Sequence, residues 1–273
     1  MMKKTLTIFF LVLAFPFLAH AQTGEESAGS HITAKLLSSV QGMGNLEKID
    51  MGLALAMEDD WYTYWRMAGD SGLPPSFDWT GSQNVKTVDI YWPPPRRFAV
   101  FDINSFGYNN QIVLPLKVTP LESGKPMDVH LKLDIVICHD ICIPVSLQMA
   151  KRIDAGNPGR TMDKQILDNA WESLARPRST PDLALVNTVL SQSAIVVTAF
   201  SKNGFEDTDL IVEVPGTMIT TPPEILRDPD DKTRAMLKIS APTGMDFSKL
   251  LFGKKAHITL TEGKKAVDGD FDF

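Results

Sequence analysis

Cys138 and Cys142 are the two cysteines of this 273-residue chain, and three residues separate them. A thiol pair can hold two electrons reversibly by opening and closing a disulfide. Four residues of straight strand would keep the α-carbons roughly 13 Å apart, whereas a disulfide needs about 4.4–6.8 Å. Cys138-His139-Asp140-Ile141-Cys142 can therefore close a bond only where the chain reverses, and the strand-like arms on both sides predict a hairpin tip around His139-Asp140.

Three chemistries fit such a pair. A structural staple is one, but a five-residue loop gives roughly 2 kcal/mol of chain-entropy stabilisation, against about 4.7 for a loop of 100 residues. Tight or exposed disulfides are also the readily exchanged ones, which favours redox work. In that case His139 supplies a cation or hydrogen-bond donor to a thiolate, while Asp140 opposes ionisation or accepts a proton; the plainer alternative for both is a solvated turn. The third chemistry is Cu(I) binding by Cys138, Cys142 and His139, since soft sulfur ligands select that ion. The other histidines, His20, His31, His130 and His257, show no zinc spacing. The twelve methionines are dispersed, as core fillers are. There is no glycine-rich phosphate loop and no G-x-S-x-G elbow, and Asp70-Ser71-Gly72 reads as a turn.

The pattern around the pair predicts an all-β chain. Lys3 and Lys4, an apolar run from Leu6 to Ala19 and Ala19-His20-Ala21 form a secretory signal over residues 1–21, so a periplasmic protein, soluble after cleavage, is expected. Residues 22–30 are polar and read as a disordered lead-in. Alternation predicts strands over 32–37, 49–57, 85–92, 98–103, 110–118, 129–137 and 141–149. The aromatic and Gly/Pro-rich stretch Trp61–Pro75 reads as a long ordered loop. Ile166, Leu167, Ala170, Trp171 and Leu174 lie on one face of a predicted helix over 162–175, with Thr161 as its cap. Arg176–Pro181 then reads as a linker. Further strands are expected over 194–200, 209–214, 234–239 and 256–261. The division that follows is a β-sandwich over 31–155, a helix and linker over 156–184, and a second, smaller β domain over 185–273. No chemistry is apparent in the last.

The net charge is −6, and it becomes about −8 when Lys3 and Lys4 leave with the signal. An acidic chain without a Lys/Arg cluster lacks the footprint of a nucleic-acid binder.

Ile137-Cys138-His139-Asp140-Ile141-Cys142-Ile143-Pro144 resembles the redox loop of the N-terminal periplasmic domain in the DsbD thiol:disulfide reductase family, and more closely that of the related copper-sensitivity suppressor ScsB. Tyr64-Trp65-Arg66 and Gly69-Asp70-Ser71-Gly72-Leu73-Pro74-Pro75, followed by Trp79, look like the same family's signature, so the resemblance covers roughly residues 45–150. It implies an immunoglobulin-like sandwich that passes electrons by mixed-disulfide exchange and needs no cofactor. It implies partners too: periplasmic thioredoxin-like or disulfide-isomerase proteins, cytochrome c maturation among their pathways, and a membrane electron donor. The full-length reductases continue into a membrane domain and a C-x-x-C domain that this sequence does not show, so the donor is expected to be encoded separately, or else the chain is an oxidant, a scavenger or a relic. By the same resemblance Cys142 is the sulfur that meets the partner and Cys138 the resolving one. An aromatic cap is also implied; Phe106, with Tyr108 second, stands at about the matching distance upstream, although Asn104 and Ser105 replace the family's acidic residues there.

Overall fold

The computed structural model of the protein describes residues 24–100 and 103–273. The expected signal segment, 1–21, lies outside the described residues. In chain order the first part comprises β1 (Glu26–Gly29), β2 (Ile32–Ser38), β3 (Ile49–Met57), β4 (Tyr62–Gly69), β5 (Ser76–Asp78), β6 (Val85–Ile90), β7 (Arg96–Val100), β8 (Ile103–Asn109), β9 (Gln111–Pro120), β10 (Met127–Cys138) and β11 (Cys142–Ile153). One sheet has the order β1-β2-β3-β9-β6; the other runs β11-β10-β4-β8-β7, with β5 added to β10. The result is the expected immunoglobulin-like sandwich.

Alternation builds its core. On β3, Ile49, Met51, Leu53, Leu55 and Met57 are buried; on β10, Val129, Leu131, Leu133, Ile135 and Ile137 meet them from the opposite sheet. Period-two side chains place every second residue on one face, so both strands present apolar rows inward. Cys138, one step beyond Ile137, falls on the outer face.

Three sequence expectations are corrected here. Residues 22–30 include strand β1, paired with β2 from Glu26↔Lys35 to Gly29↔Ile32. Its polar side chains stay largely outside, and main-chain bonds to the sheet edge order it instead. Trp61–Pro75 is not one loop, because Tyr62–Gly69 is β4. Aromatic residues favour strands, and the glycine and proline signals end this one at Gly69 rather than preventing it. The helix α1 spans Lys164–Glu172, shorter than 162–175. Asp163 occupies the N-cap position without a side-chain cap bond, Thr161 Oγ1 instead donates to Ser38 O, and Ile166 is exposed. Leu167 and Ala170 are the buried contacts. Gly52 makes room for them, since a Cβ there would lie 2.5 Å from Leu167 Cδ2.

After α1 come β12 (Arg176–Pro177), β13 (Leu183–Leu190), β14 (Ala194–Ser201), β15 (Thr208–Val214), β16 (Thr217–Ile219), β17 (Glu224–Arg227), β18 (Arg234–Ser240), α2 (Phe247–Leu251), β19 (Lys255–Glu262) and β20 (Lys265–Asp272). Arg176–Pro177, expected in a linker, pairs in parallel with β20. Sheets ordered β12-β20-β19-β15-β16 and β13-β14-β18-β17 enclose a second core that includes Ile195, Val197, Leu237 and Ile258. No helix among the described residues is long and apolar enough to cross a membrane.

Strand β15 joins the sandwiches by the same period-two rule. Leu210, Val212 and Val214 enter the second core, whereas Ile211 belongs to the first. On either side of Ile211, Asp209 accepts from Arg97 and Glu213 accepts from Arg66. Each guanidinium binds its carboxylate through two nitrogens, the fork geometry that gives arginine pairs their directionality.

Candidate functional site

Strands β10 and β11 pair from Met127↔Ile153 to Cys138↔Cys142, so the cysteines form the final rung of a hairpin closed by His139, Asp140 and Ile141. The His139 N–H donates to Ile141 O at 3.1 Å. The α-carbons of Cys138 and Cys142 are 4.1 Å apart and the sulfurs are bonded. The predicted reversal is therefore present. The two sulfurs are not equivalent: Cys138 is fully buried, and Cys142 is exposed.

Strand β4 supplies the environment of the buried sulfur. Tyr62 stands opposite Cys138 and Thr63 opposite Ile137, and Thr63 Oγ1 donates to Val136 O at 2.9 Å. Tyr64 consequently lies on the outer face with Cys138, and both pack with Ala68, Tyr62 and Val136. Its hydroxyl is 3.1 Å from Cys138 Sγ and 3.6 Å from Cys142 Sγ. A disulfide sulfur has no proton to give, so the tyrosine is the donor. Burial, assisted by the charge and hydrogen bonding of Tyr62, pushes the Tyr64 pKa up to about 12. The phenol thus keeps its proton at neutral pH. Tyr62 meets Tyr64 edge-on at 5.8 Å and stacks on Phe98 at 4.6 Å.

The other side of the Tyr64 ring is closed by backbone. A Cβ at Gly72 would lie 2.3 Å from Tyr64 Cε1, and Gly72 has φ +117°. Only glycine combines that conformation with that approach.

The remaining expected site residues are placed differently. His139 Nδ1 lies 3.1 Å from Asp140 Oδ2, and its ring tilts against Trp61 at 5.8 Å. Trp61 in turn stacks on His31 at 4.1 Å. Neither sulfur is among the described partners of His139 or Asp140. Phe106 is a core residue with no exposed surface: it meets Trp65 edge-on at 6.5 Å, and Arg97 lies 4.6 Å over its ring. Tyr108 is buried as well, and its hydroxyl donates to Pro93 O at 2.6 Å. Strand β8 turns both side chains toward the sandwich core, away from the face that carries the disulfide. In this arrangement Phe106 and Tyr108 do not cover the cysteines, and acting as a cap would require them to leave the core.

Tyr64 is the site residue that the sequence-based reading missed. Its segment stands out in the sequence only as part of a long loop and of the family signature. The usable signal was the alternation Tyr62-Thr63-Tyr64-Trp65, which puts the tyrosines on one face and Trp65 in the core. As for the Cu(I) alternative, no group of three or more His, Cys, Asp or Glu side chains among the described residues is gathered as a metal site.

Residues 38–153 match the family model described as thiol:disulfide interchange protein DsbD, N-terminal. A comparison with curated proteins finds no match. Among solved structures, the N-terminal periplasmic domain of ScsB from Proteus mirabilis superposes with a TM-score of 0.69 at 17% identity, over 91% of this chain and 98% of that one. At that identity the likeness is one of fold, and it extends over both sandwiches. The disulfide-bearing stretch 38–153 thus carries the sequence pattern of the DsbD N-terminal domain family, within a fold similar to that of the ScsB periplasmic domain.

Proposed function

We propose that this protein is a periplasmic thiol:disulfide exchange module that passes electrons through the Cys138–Cys142 disulfide. The observation that carries this reading is the asymmetry of the pair: Cys142 is exposed, while Cys138 is buried beneath a neutral tyrosine hydroxyl. A partner thiolate attacks Cys142 Sγ. As the new sulfur–sulfur bond forms, the Cys138–Cys142 bond breaks and its electron pair goes to Cys138 Sγ. The Tyr64 hydroxyl donates to that leaving sulfur, and hydrogen bonds to charged acceptors are the stronger kind. A second partner thiol then resolves the mixed disulfide. The partner leaves oxidised, and this protein holds two thiols after taking up two electrons and two protons. The reverse sequence delivers them, with Cys138 as the resolving sulfur. The thiols carry both electrons, so no cofactor is required.

The redox role belongs to the sandwich 31–155, with 156–184 as connector and 185–273 as the second domain. Its partners are thioredoxin-like or disulfide-isomerase proteins of the periplasm. Equilibration of the purified protein in glutathione or dithiothreitol buffers tests this. A working exchange centre gives a potential of about −120 to −270 mV, and a value below about −300 mV would make the bond a staple.

A further inference from the structure

The second sandwich contains no cysteine, yet it touches the loop that closes over Tyr64. Thr220 follows β16 and donates from Oγ1 to Asp70 Oδ1 at 2.5 Å. The other Asp70 oxygen accepts from Asn104 N at 2.8 Å, and Asp70 N donates to Asn104 O at 2.8 Å. Beyond Asp70, Ser105 Oγ donates to Ser71 O at 3.1 Å, and Gly72 then lies against the Tyr64 ring. Thr220 is itself held, because its carbonyl oxygen accepts from Arg97, the arginine already paired with Asp209. Unbroken contact therefore runs from Arg97 and Thr220 through Asp70 and Gly72 to Tyr64 and the Cys138 sulfur.

We propose that Thr220 is a positioning residue for the redox pair: it seats the loop after β4 on Tyr64 and so holds the Tyr64 hydroxyl against Cys138. This rests on the exchange function proposed above. It gives the second sandwich a role in setting how readily the disulfide is reduced. With the loop seated, the phenol donates to the Cys138 thiolate and favours the reduced pair. With the loop released, Tyr64 can turn away from the sulfur, and reduction becomes harder. Stabilising the reduced form is what makes a thiol pair oxidising.

The test uses the mature protein equilibrated with dithiothreitol buffers of known ratio. Thr220→Val removes the donor at nearly constant size, and Thr220→Ser keeps it. The Val variant is expected to lower the equilibrium constant for reduction about five- to tenfold, or roughly 20–30 mV toward more negative potential. The Ser variant is expected to retain the wild-type constant. In a Tyr64→Phe background, Thr220→Val should have no further effect, since the hydroxyl it positions is gone. An unchanged constant in Thr220→Val, or the same decrease with and without the Tyr64 hydroxyl, would overturn the proposal while leaving the exchange function intact. A wild-type pair that does not equilibrate with the buffer at all would remove both.

Discussion

The hydroxyl of Tyr64 lies 3.1 Å from the sulfur of Cys138, and the phenol remains protonated because burial pushes its pKa up to about 12. A hydrogen-bond donor is thereby fixed on the sulfur that, in the proposed exchange, leaves when Cys142 is attacked. The effect is expected to be large in the reduced state, where the acceptor is charged, and small in the disulfide.

Tyr64→Phe isolates that donor. Hydrogen bonds to charged groups contribute about 1.5–3 kcal/mol. The reduction equilibrium should fall by about tenfold or more, shifting the potential at least roughly 30 mV negative. The Cys138 thiol pKa should rise, read from thiolate absorbance in the Cys142→Ala protein. An unshifted thiol pKa would show that the hydroxyl is a bystander.

The two cysteines should differ in reactivity. In Cys138→Ala the exposed Cys142 is expected to form mixed disulfides with an aromatic disulfide reagent at least about tenfold faster than Cys138 does in Cys142→Ala, because access limits exchange. Stopped-flow absorbance at a common pH measures both rates, and equal rates would contradict the assignment of attacked and resolving sulfurs.

Gly72→Ala places a methyl group 2.3 Å from the Tyr64 ring at φ +117°. Backbone strain alone costs about 1–3 kcal/mol, and the clash adds to it. A lower urea midpoint together with a shifted reduction potential is the expected pairing. Lost stability with an unchanged potential would mean that the loop does not act on Tyr64.

Arg97 and Asp209 are largely removed from solvent at the junction of the sandwiches, with side chains 12% and 22% exposed. Truncating one partner of a buried pair costs about 3–5 kcal/mol, and this partly solvated one should cost about 2–4. Arg97→Ala is therefore expected to lower the melting temperature by several degrees. Calorimetry should also resolve two transitions if the pair couples the sandwiches; one undisturbed transition would show that it does not.

His257 provides a pH signature of the second sandwich. Hydrogen bonding to Asp268, and then to Asp270, raises its pKa from 6.5 to about 9 against the opposing effect of burial, with Glu213 also nearby. The imidazolium is favoured in the folded state, so its stabilisation is complete below about pH 6.5 and is lost as the pH rises through about 9. The urea midpoint should decline over that window in the wild type and much less in His257→Gln. A decline of the same size in both proteins would assign it to other groups.

Local pattern accounts for much of this architecture. The inward rows of β3 and β10, and the strands 194–201, 208–214, 234–240 and 255–262, follow from alternation that neighbouring residues alone encode. The hairpin at Cys138–Cys142 follows from the same arms and the short spacing. Alternation would also have assigned Tyr62 and Tyr64 to one face of β4, had the glycine and proline residues downstream not obscured the strand. Phe106 marks the limit of spacing along the chain, which says nothing about which face of β8 a side chain takes. What lies on the sulfur was decided by tertiary structure. Tyr64 and Cys138 are 74 positions apart, and Thr220 and Asp70 are 150 apart. Those contacts depend on which strands become neighbours and which loops the second sandwich reaches, and strand order is set by the packing of the whole core rather than by the periodicity of any one segment.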